Sequence, residues 1–149
     1  MGEALDVARR ARSMGEVPIG AVVVLDGAVL ATAHNRAEIL RDPTAHAELL
    51  ALRQAAGTLG DWRLDGATVY STFEPCAMCA GAMVLARIAA CVYAVPNSKR
   101  GFLGTLGNLS NYDGLNHRFG VRAGVRADEA SEMLCSFYRG PRGGREGVD

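Results

Sequence analysis

The sequence predicts an α/β protein, a three-layer α/β/α sandwich built on a mixed five-stranded sheet. Three observations carry that expectation. Segments with apolar residues at helical spacing alternate with short β-rich runs, in the order helix, two strands, helix, strand, helix, two strands, helix. The 149 residues are 49% hydrophobic and 21% charged, one globular domain's worth of chain and unlike a disordered one. The first β-rich run, Ile19 to Leu25, is nearly all apolar, as suits a central strand covered on both faces. A single domain over residues 1–149 is expected.

Each element has a local reason. Ala4, Val7, Ala8, Ala11 and Met14 share one helix face, with Arg9, Arg10 and Arg12 off it, and predict a first helix ending near Gly15. Pro18 breaks that pattern. The runs 19–25 and 28–33 flank Asp26-Gly27, a hairpin signal because both turn positions tolerate positive φ. Thr44 is placed to cap a helix with apolar positions Ala45, Leu49, Leu52 and Ala56, ended by Gly57, so that His46 and Glu48 fall in its first turn. A polar connector, 59–66, carries the single tryptophan, Trp62. Residues 67–72 read as a strand stopped by Glu74-Pro75, 77–86 as a helix, and 91–95 as a strand. Residues 96–120 hold Gly101, Gly104, Gly107 and Gly114 with little periodicity, a length typical of functional loops. Residues 120–125 are a candidate fifth strand. Residues 128–139 form a last helix with Ala130, Met133, Leu134 and Phe137 on one side, and 140–149 read as a flexible tail.

The longest apolar runs fall well short of the roughly 18–20 residues that span a bilayer, and no charged-then-apolar leader opens the chain. The expectation is a soluble cytoplasmic protein. In a reducing compartment, close cysteine pairs serve as metal ligands or redox centres more often than as disulfides. The net charge is zero, yet residues 87–126 carry Arg87, Lys99, Arg100, Arg118, Arg122 and Arg126 against Asp113 alone. A cationic segment in a neutral chain is what a polyanionic partner needs, although a merely solvated basic surface reads the same way.

The chemistry-bearing residues are His46, Glu48, Cys76 and Cys79, arranged as H-A-E and, further on, P-C-A-M-C. One histidine and two thiolates are a catalytic zinc set, which leaves the fourth tetrahedral position open for water. Cys76 and Cys79 straddle a predicted helix start, where backbone N–H groups and the dipole favour thiolate. Residues two apart on an ideal helix point about 200° apart. Glu48 is therefore expected to stand near the ion unligated and to shuttle protons. Taken singly, a Cys-x-x-Cys can also be a redox pair or half of a zinc ribbon. Cys91 and Cys135 read as small core residues.

The combination H-x-E with P-C-x-x-C is the signature of zinc-dependent nucleobase deaminases. With Val17-Pro18-Ile19-Gly20-Ala21, Asn35-Arg36, Asp42-Pro43-Thr44-Ala45-His46-Ala47-Glu48, Glu74 to Met83 and Gly114-Leu115-Asn116-His117-Arg118, nearly the whole chain resembles the bacterial tRNA-specific adenosine deaminases. That resemblance implies a homodimer of the cytidine-deaminase-like fold that converts the wobble adenosine of an arginine tRNA anticodon to inosine. It implies one zinc per subunit on His46, Cys76 and Cys79, with Glu48 moving protons from the attacking water to N1 and then to the departing ammonia. Asn35 and Ala47 would hold the flipped nucleoside, and Asn116, His117, Arg118, Phe137 and Tyr138 would meet the anticodon loop. Phe137 and Tyr138 can equally be packing residues.

Two departures stand out. The first helix is shorter than is usual in that family, which predicts looser packing near the pocket. Asn97 stands where the family commonly carries Asp beside the expected nucleic-acid path, with a bearing on RNA against DNA; tRNA remains the expected substrate. A free guanine or cytosine deaminase shares zinc, Glu48 and fold, and only the basic segment and the 116–118 loop argue against it. A non-catalytic zinc-bearing tRNA-binding subunit would have no use for an unligated Glu48.

Overall fold

The structure is a computed structural model, and it describes residues 1–140. The expected flexible tail therefore lies outside the described residues from 141 on. The chain opens with helix α1 (Gly2–Ser13), followed by an antiparallel hairpin of β1 (Gly20–Leu25) and β2 (Ala28–His34). Its turn is made by Asp26 at φ 50° and Gly27 at φ 77°, the left-handed pair that Asp-Gly predicts. Helices α2 (Ala37–Leu40) and α3 (Ala47–Leu59) come next, then β3 (Thr68–Phe73), α4 (Ala77–Ala86), β4 (Ala90–Val95), β5 (Gly120–Arg122) and α5 (Ala127–Arg139).

The sheet runs in the order β2-β1-β3-β4-β5. β1 is antiparallel to both neighbours, whereas β3, β4 and β5 are parallel, giving the mixed five-stranded sheet. Alternation along the strands builds two apolar layers. Ala21, Val23, Val69, Cys91 and Tyr93 pack with Ala51, Leu52 and Ala55 of α3 and Ala80, Met83 and Val84 of α4. On the other face Ala94 joins Leu5 and Ala8 of α1 and Ala130 and Met133 of α5. No helix among the described residues is long and apolar enough to cross a membrane.

The structure corrects several expectations. α1 is short but tightly seated: a Cβ on Gly20 would lie 2.7 Å from Val7 Cγ2 and 2.8 Å from Ala8 N, and against the Ala4 carbonyl. Met14 lies past the helix end and is exposed, while Leu5 takes its place in the core. Thr44 does not cap α3, because the helix starts only after His46; the Thr44 N–H and hydroxyl instead turn back to Asp42 Oδ1, at 2.8 and 2.7 Å. α3 instead begins after His46 and runs through Gly57 to Gly60, whose φ of 74° ends it. Its buried face is accordingly Ala47, Glu48, Ala51, Leu52 and Ala55. β5 stops at Arg122, since Gly124 (φ 85°) and Arg126 (φ 56°) bend the chain away from the sheet. Cys135 is exposed, because the buried stripe of α5 is Ala130, Met133 and Leu134. The one-turn α2 gave no sequence signal.

Candidate active site

Two chain segments deliver the site. His46 is the N-cap of α3, with extended backbone (φ −76°, ψ 148°), and Cys76 is the N-cap of α4 (φ −73°, ψ 173°). Pro75 favours that extended approach, and one helical turn then brings Cys79 beneath Cys76. His46 Nδ1 lies 3.5 Å from Cys76 Sγ and 3.6 Å from Cys79 Sγ, and the three ligand atoms all fall within 4.8 Å of one another. Zinc bonds of about 2.0–2.3 Å in a tetrahedron place N and S donors about 3.5 Å apart. The triad thus has the spacing that zinc requires.

The electrostatics of the donors agree. Hydrogen bonds from Cys79 and His46, with the Cys79 backbone N–H, bring the Cys76 thiol down to about 4. Donation to Cys76, together with burial, pushes the Cys79 thiol far up. The His46 imidazole is raised, chiefly by its bond to Cys76. The cluster shares protons that a divalent cation would displace, as thiolate ligation demands.

Glu48, in the first turn of α3, is 4% exposed and stands outside that donor triad. His46 is a cap rather than a helical residue, so the ideal-helix angle does not govern the pair. Burial raises the Glu48 carboxyl, and the neighbouring His46 charge and the Ser71 hydroxyl partly offset it.

Other predicted residues divide into two groups. Asn35 and Ala47 are buried close to the triad: Arg36 N–H donates to Ala45 O at 3.0 Å, which ties the Asn35 corner to the residue before His46. Phe137 is half-buried and meets the exposed Tyr138 edge-on, with ring centroids 5.4 Å apart. Tyr138 lines a groove of about 430 Å³ with Phe73 and Val95, the last residues of β3 and β4, and Phe73 leads into the Cys76 approach. By contrast, His117 bonds through Nε2 to Ile88 O at 2.8 Å, beyond the end of α4. Ten helical residues span about 15 Å, so residues 116–118 stand one helix length from the cysteines of the same chain. Asn116 and Arg118 are exposed, Arg118 pairing with Asp113 at 2.6 Å.

Comparison with known proteins decides the family. Residues 1–95 match the family model of the cytidine and deoxycytidylate deaminase zinc-binding region. The tRNA-specific adenosine deaminase of Bacillus subtilis (strain 168) is 47% identical over 139 residues, covering 93% of this chain and 86% of the relative. The chain belongs to the tRNA-specific adenosine deaminase family. A solved structure from a study of A-to-I editing by tRNA:A34 deaminases at the wobble position superposes with a TM-score of 0.87 at 42% identity, over 90% of this chain and 97% of that one. A guanine deaminase from B. subtilis superposes at 0.62 with 40% identity, over 65% of this chain and 62% of that one. In this family the His46, Cys76 and Cys79 group fits zinc.

The sequence assigned no role to the carboxylates of two buried acids, Glu74 and Glu16. Glu74, 1% exposed, accepts N–H bonds from Asn97 at 2.9 Å, Leu103 at 3.0 Å and Thr105 at 3.1 Å, and the Thr105 hydroxyl. It folds the long loop against the Cys76 approach, where Phe102 N–H donates to Pro75 O at 3.0 Å. Asn97 is buried there, its Oδ1 accepting the Lys99 and Arg100 amides at 3.2 and 3.1 Å. Glu16 is wholly buried beside Asn35. The signal in both cases was a charged residue flanked by apolar ones beside a proline motif, Glu16-Val17-Pro18 and Phe73-Glu74-Pro75.

Proposed function

We propose that this chain is a zinc-dependent hydrolytic deaminase that converts the wobble adenosine of a tRNA anticodon to inosine. The observation that carries the reading is the three-donor triad with a buried, unligated carboxylate beside it, in a chain similar over nearly its whole length to tRNA-specific adenosine deaminases. His46, Cys76 and Cys79 would hold the ion. When bound, zinc polarises a water and lowers its pKa toward neutrality.

The chain's own residues do the rest. Glu48 takes a proton from the water attacking C6, passes it to N1, and then protonates the departing amine, so that water and adenosine become inosine and ammonia. Its raised proton affinity suits a group that must hold a proton between two transfers. Asn35 and the Ala47 backbone orient the nucleoside. Phe137 and Tyr138 offer aromatic surface to neighbouring bases. Asn116, His117 and Arg118 extend the footprint along the RNA rather than line the pocket of their own subunit.

The reading includes a homodimer, a single domain over the whole chain, and a cytoplasmic location where tRNA is met. α4 supports the dimer. It is apolar throughout, yet Ala77 and Leu85 are exposed and Met78 and Gly81 are half-exposed on the face away from its own core. A helix apolar all round is normally covered all round.

The test is turnover of an anticodon stem-loop with adenosine at the wobble position, its nucleosides then resolved by mass spectrometry. Inosine at that position is expected. Ammonia released from free guanine or cytosine with the stem-loop untouched overturns the reading.

A further inference from the structure

We propose that Glu16 is a positioning residue: by accepting the Asn35 side-chain amine, it turns the Asn35 amide oxygen outward as an acceptor for a hydrogen-bond donor on the bound nucleoside. The proposal rests on the nucleoside reading of the site and deepens it.

The geometry is a two-sided clamp. Glu16 is 0% exposed, in the turn between α1 and β1, with its own N–H held by Ala11 O at 3.0 Å. Its Oε2 accepts from Asn35 Nδ2 at 2.9 Å and its Oε1 from the Ile39 N–H at 2.7 Å. One carboxylate therefore grips both the residue that follows β2 and the first turn of α2. The Asn35 backbone is fixed independently, since its N–H donates to Ile19 O at 3.0 Å.

A carboxylate only accepts hydrogen bonds, whereas an amide side chain has an accepting end and a donating end. Whatever faces Glu16 must be the Asn35 amine. The oxygen is then left for the other side. Among the described residues no donor occupies Asn35 Oδ1, and no buried side-chain oxygen or nitrogen lacks a partner, so that oxygen is unpaired and not sealed from solvent. Asparagine alone does not specify this polarity, because its two ends have nearly the same shape. A buried acid two elements earlier in the chain does.

Glu16→Gln tests the point. The Ile39 N–H keeps the oxygen of the introduced glutamine, so the glutamine amine faces Asn35, whose amide must rotate and present its own amine to the substrate. Activity on the stem-loop should fall at least fivefold in kcat/KM at unchanged zinc content. The charge-swapped pair Glu16→Gln with Asn35→Asp restores the pattern. The introduced glutamine donates to one oxygen of the introduced aspartate, the other oxygen faces outward, and the buried site still carries one negative charge. Its kcat/KM should return to within threefold of the starting protein.

A loss below fivefold in the single variant overturns the proposal, as does a pair no better than a folded, metallated single variant. If Glu16→Gln does not fold, the pair decides alone: folded and active supports the proposal, while folded and inactive, or unfolded, overturns it. A second readout needs no substrate. The Asn35 side-chain amine should exchange its hydrogens slowly in the starting protein and rapidly in Glu16→Gln by NMR, and equal rates overturn the proposal. If the starting protein leaves the stem-loop untouched, the functional reading has failed, and the exchange measurement still reports the Asn35 amide.

Discussion

Replacing Glu74 by glutamine removes an acceptor where four donors converge. Oε1 takes the Leu103 and Thr105 N–H groups, and Oε2 takes the Asn97 N–H and the Thr105 hydroxyl. With the glutamine oxygen at the first position, the Thr105 hydroxyl can rotate to accept from the new amine, but the Asn97 N–H then meets a donor. A charge-assisted bond contributes about 1.5–3 kcal/mol and a neutral one about 1 kcal/mol. Losing one and weakening the others costs about 3–5 kcal/mol, and relaxation with water entry lowers the net to about 2–4 kcal/mol. The loop already packs closely on this carboxylate, since a Cβ at Gly101 would lie 2.7 Å from Asn97 O and against the Glu74 carboxylate. Urea unfolding of the zinc-loaded protein reads the stability, and amide hydrogen exchange at Asn97, Leu103 and Thr105 reads the loop. A loss under about 1 kcal/mol with unchanged protection of those amides would refute Glu74 as the loop's anchor.

Four further outcomes are expected. Glu48→Ala should retain its zinc by elemental analysis while losing about 100–10,000-fold in turnover, whereas Cys79→Ser should lose the metal; a metal-free Glu48→Ala protein would make Glu48 a ligand. Gly20→Ala should destabilise by about 1–3 kcal/mol, because the added methyl meets the α1 backbone; an unchanged thermal midpoint would mean that α1 yields freely. In the native protein iodoacetamide should label exposed Cys135 and spare Cys91, whose thiol burial pushes up, with peptide mass spectrometry as the check. Leu85→Glu should shift the light-scattering mass toward one chain, and an unchanged mass would place the subunit contact elsewhere.

Much of this protein is legible from residue order because its decisive signals are local. Asp26-Gly27 needs only its own two backbone conformations to make the hairpin, Glu74-Pro75 stops β3 within its own sequence, and α4 runs over the same residues that its pattern predicts. The chemistry of the triad is likewise carried by residue type, since few combinations other than H-x-E with P-C-x-x-C present one imidazole, two thiols and a spare carboxylate.

What needed the folded chain are features that depend on partners distant in sequence. Thr44 is an acceptable cap in isolation, yet α3 begins only after His46, which is turned toward Cys76 and Cys79 some 30 residues away. Cys91 and Cys135 look alike in sequence, and only packing buries one and exposes the other. Residues 116–118 lie downstream of the cysteines, yet the His117 bond to Ile88 sets them at the opposite end of α4. Glu16 and Glu74 are the clearest cases. A buried carboxylate is tolerated only where donors surround it, and theirs come from Asn35 and Ile39 and from the 97–105 loop, 19 to 31 residues away. Sequence alone settled the fold class and the triad; tertiary structure decided which way the site's polar side chains face, because a hydrogen bond's direction is set by the partner across it.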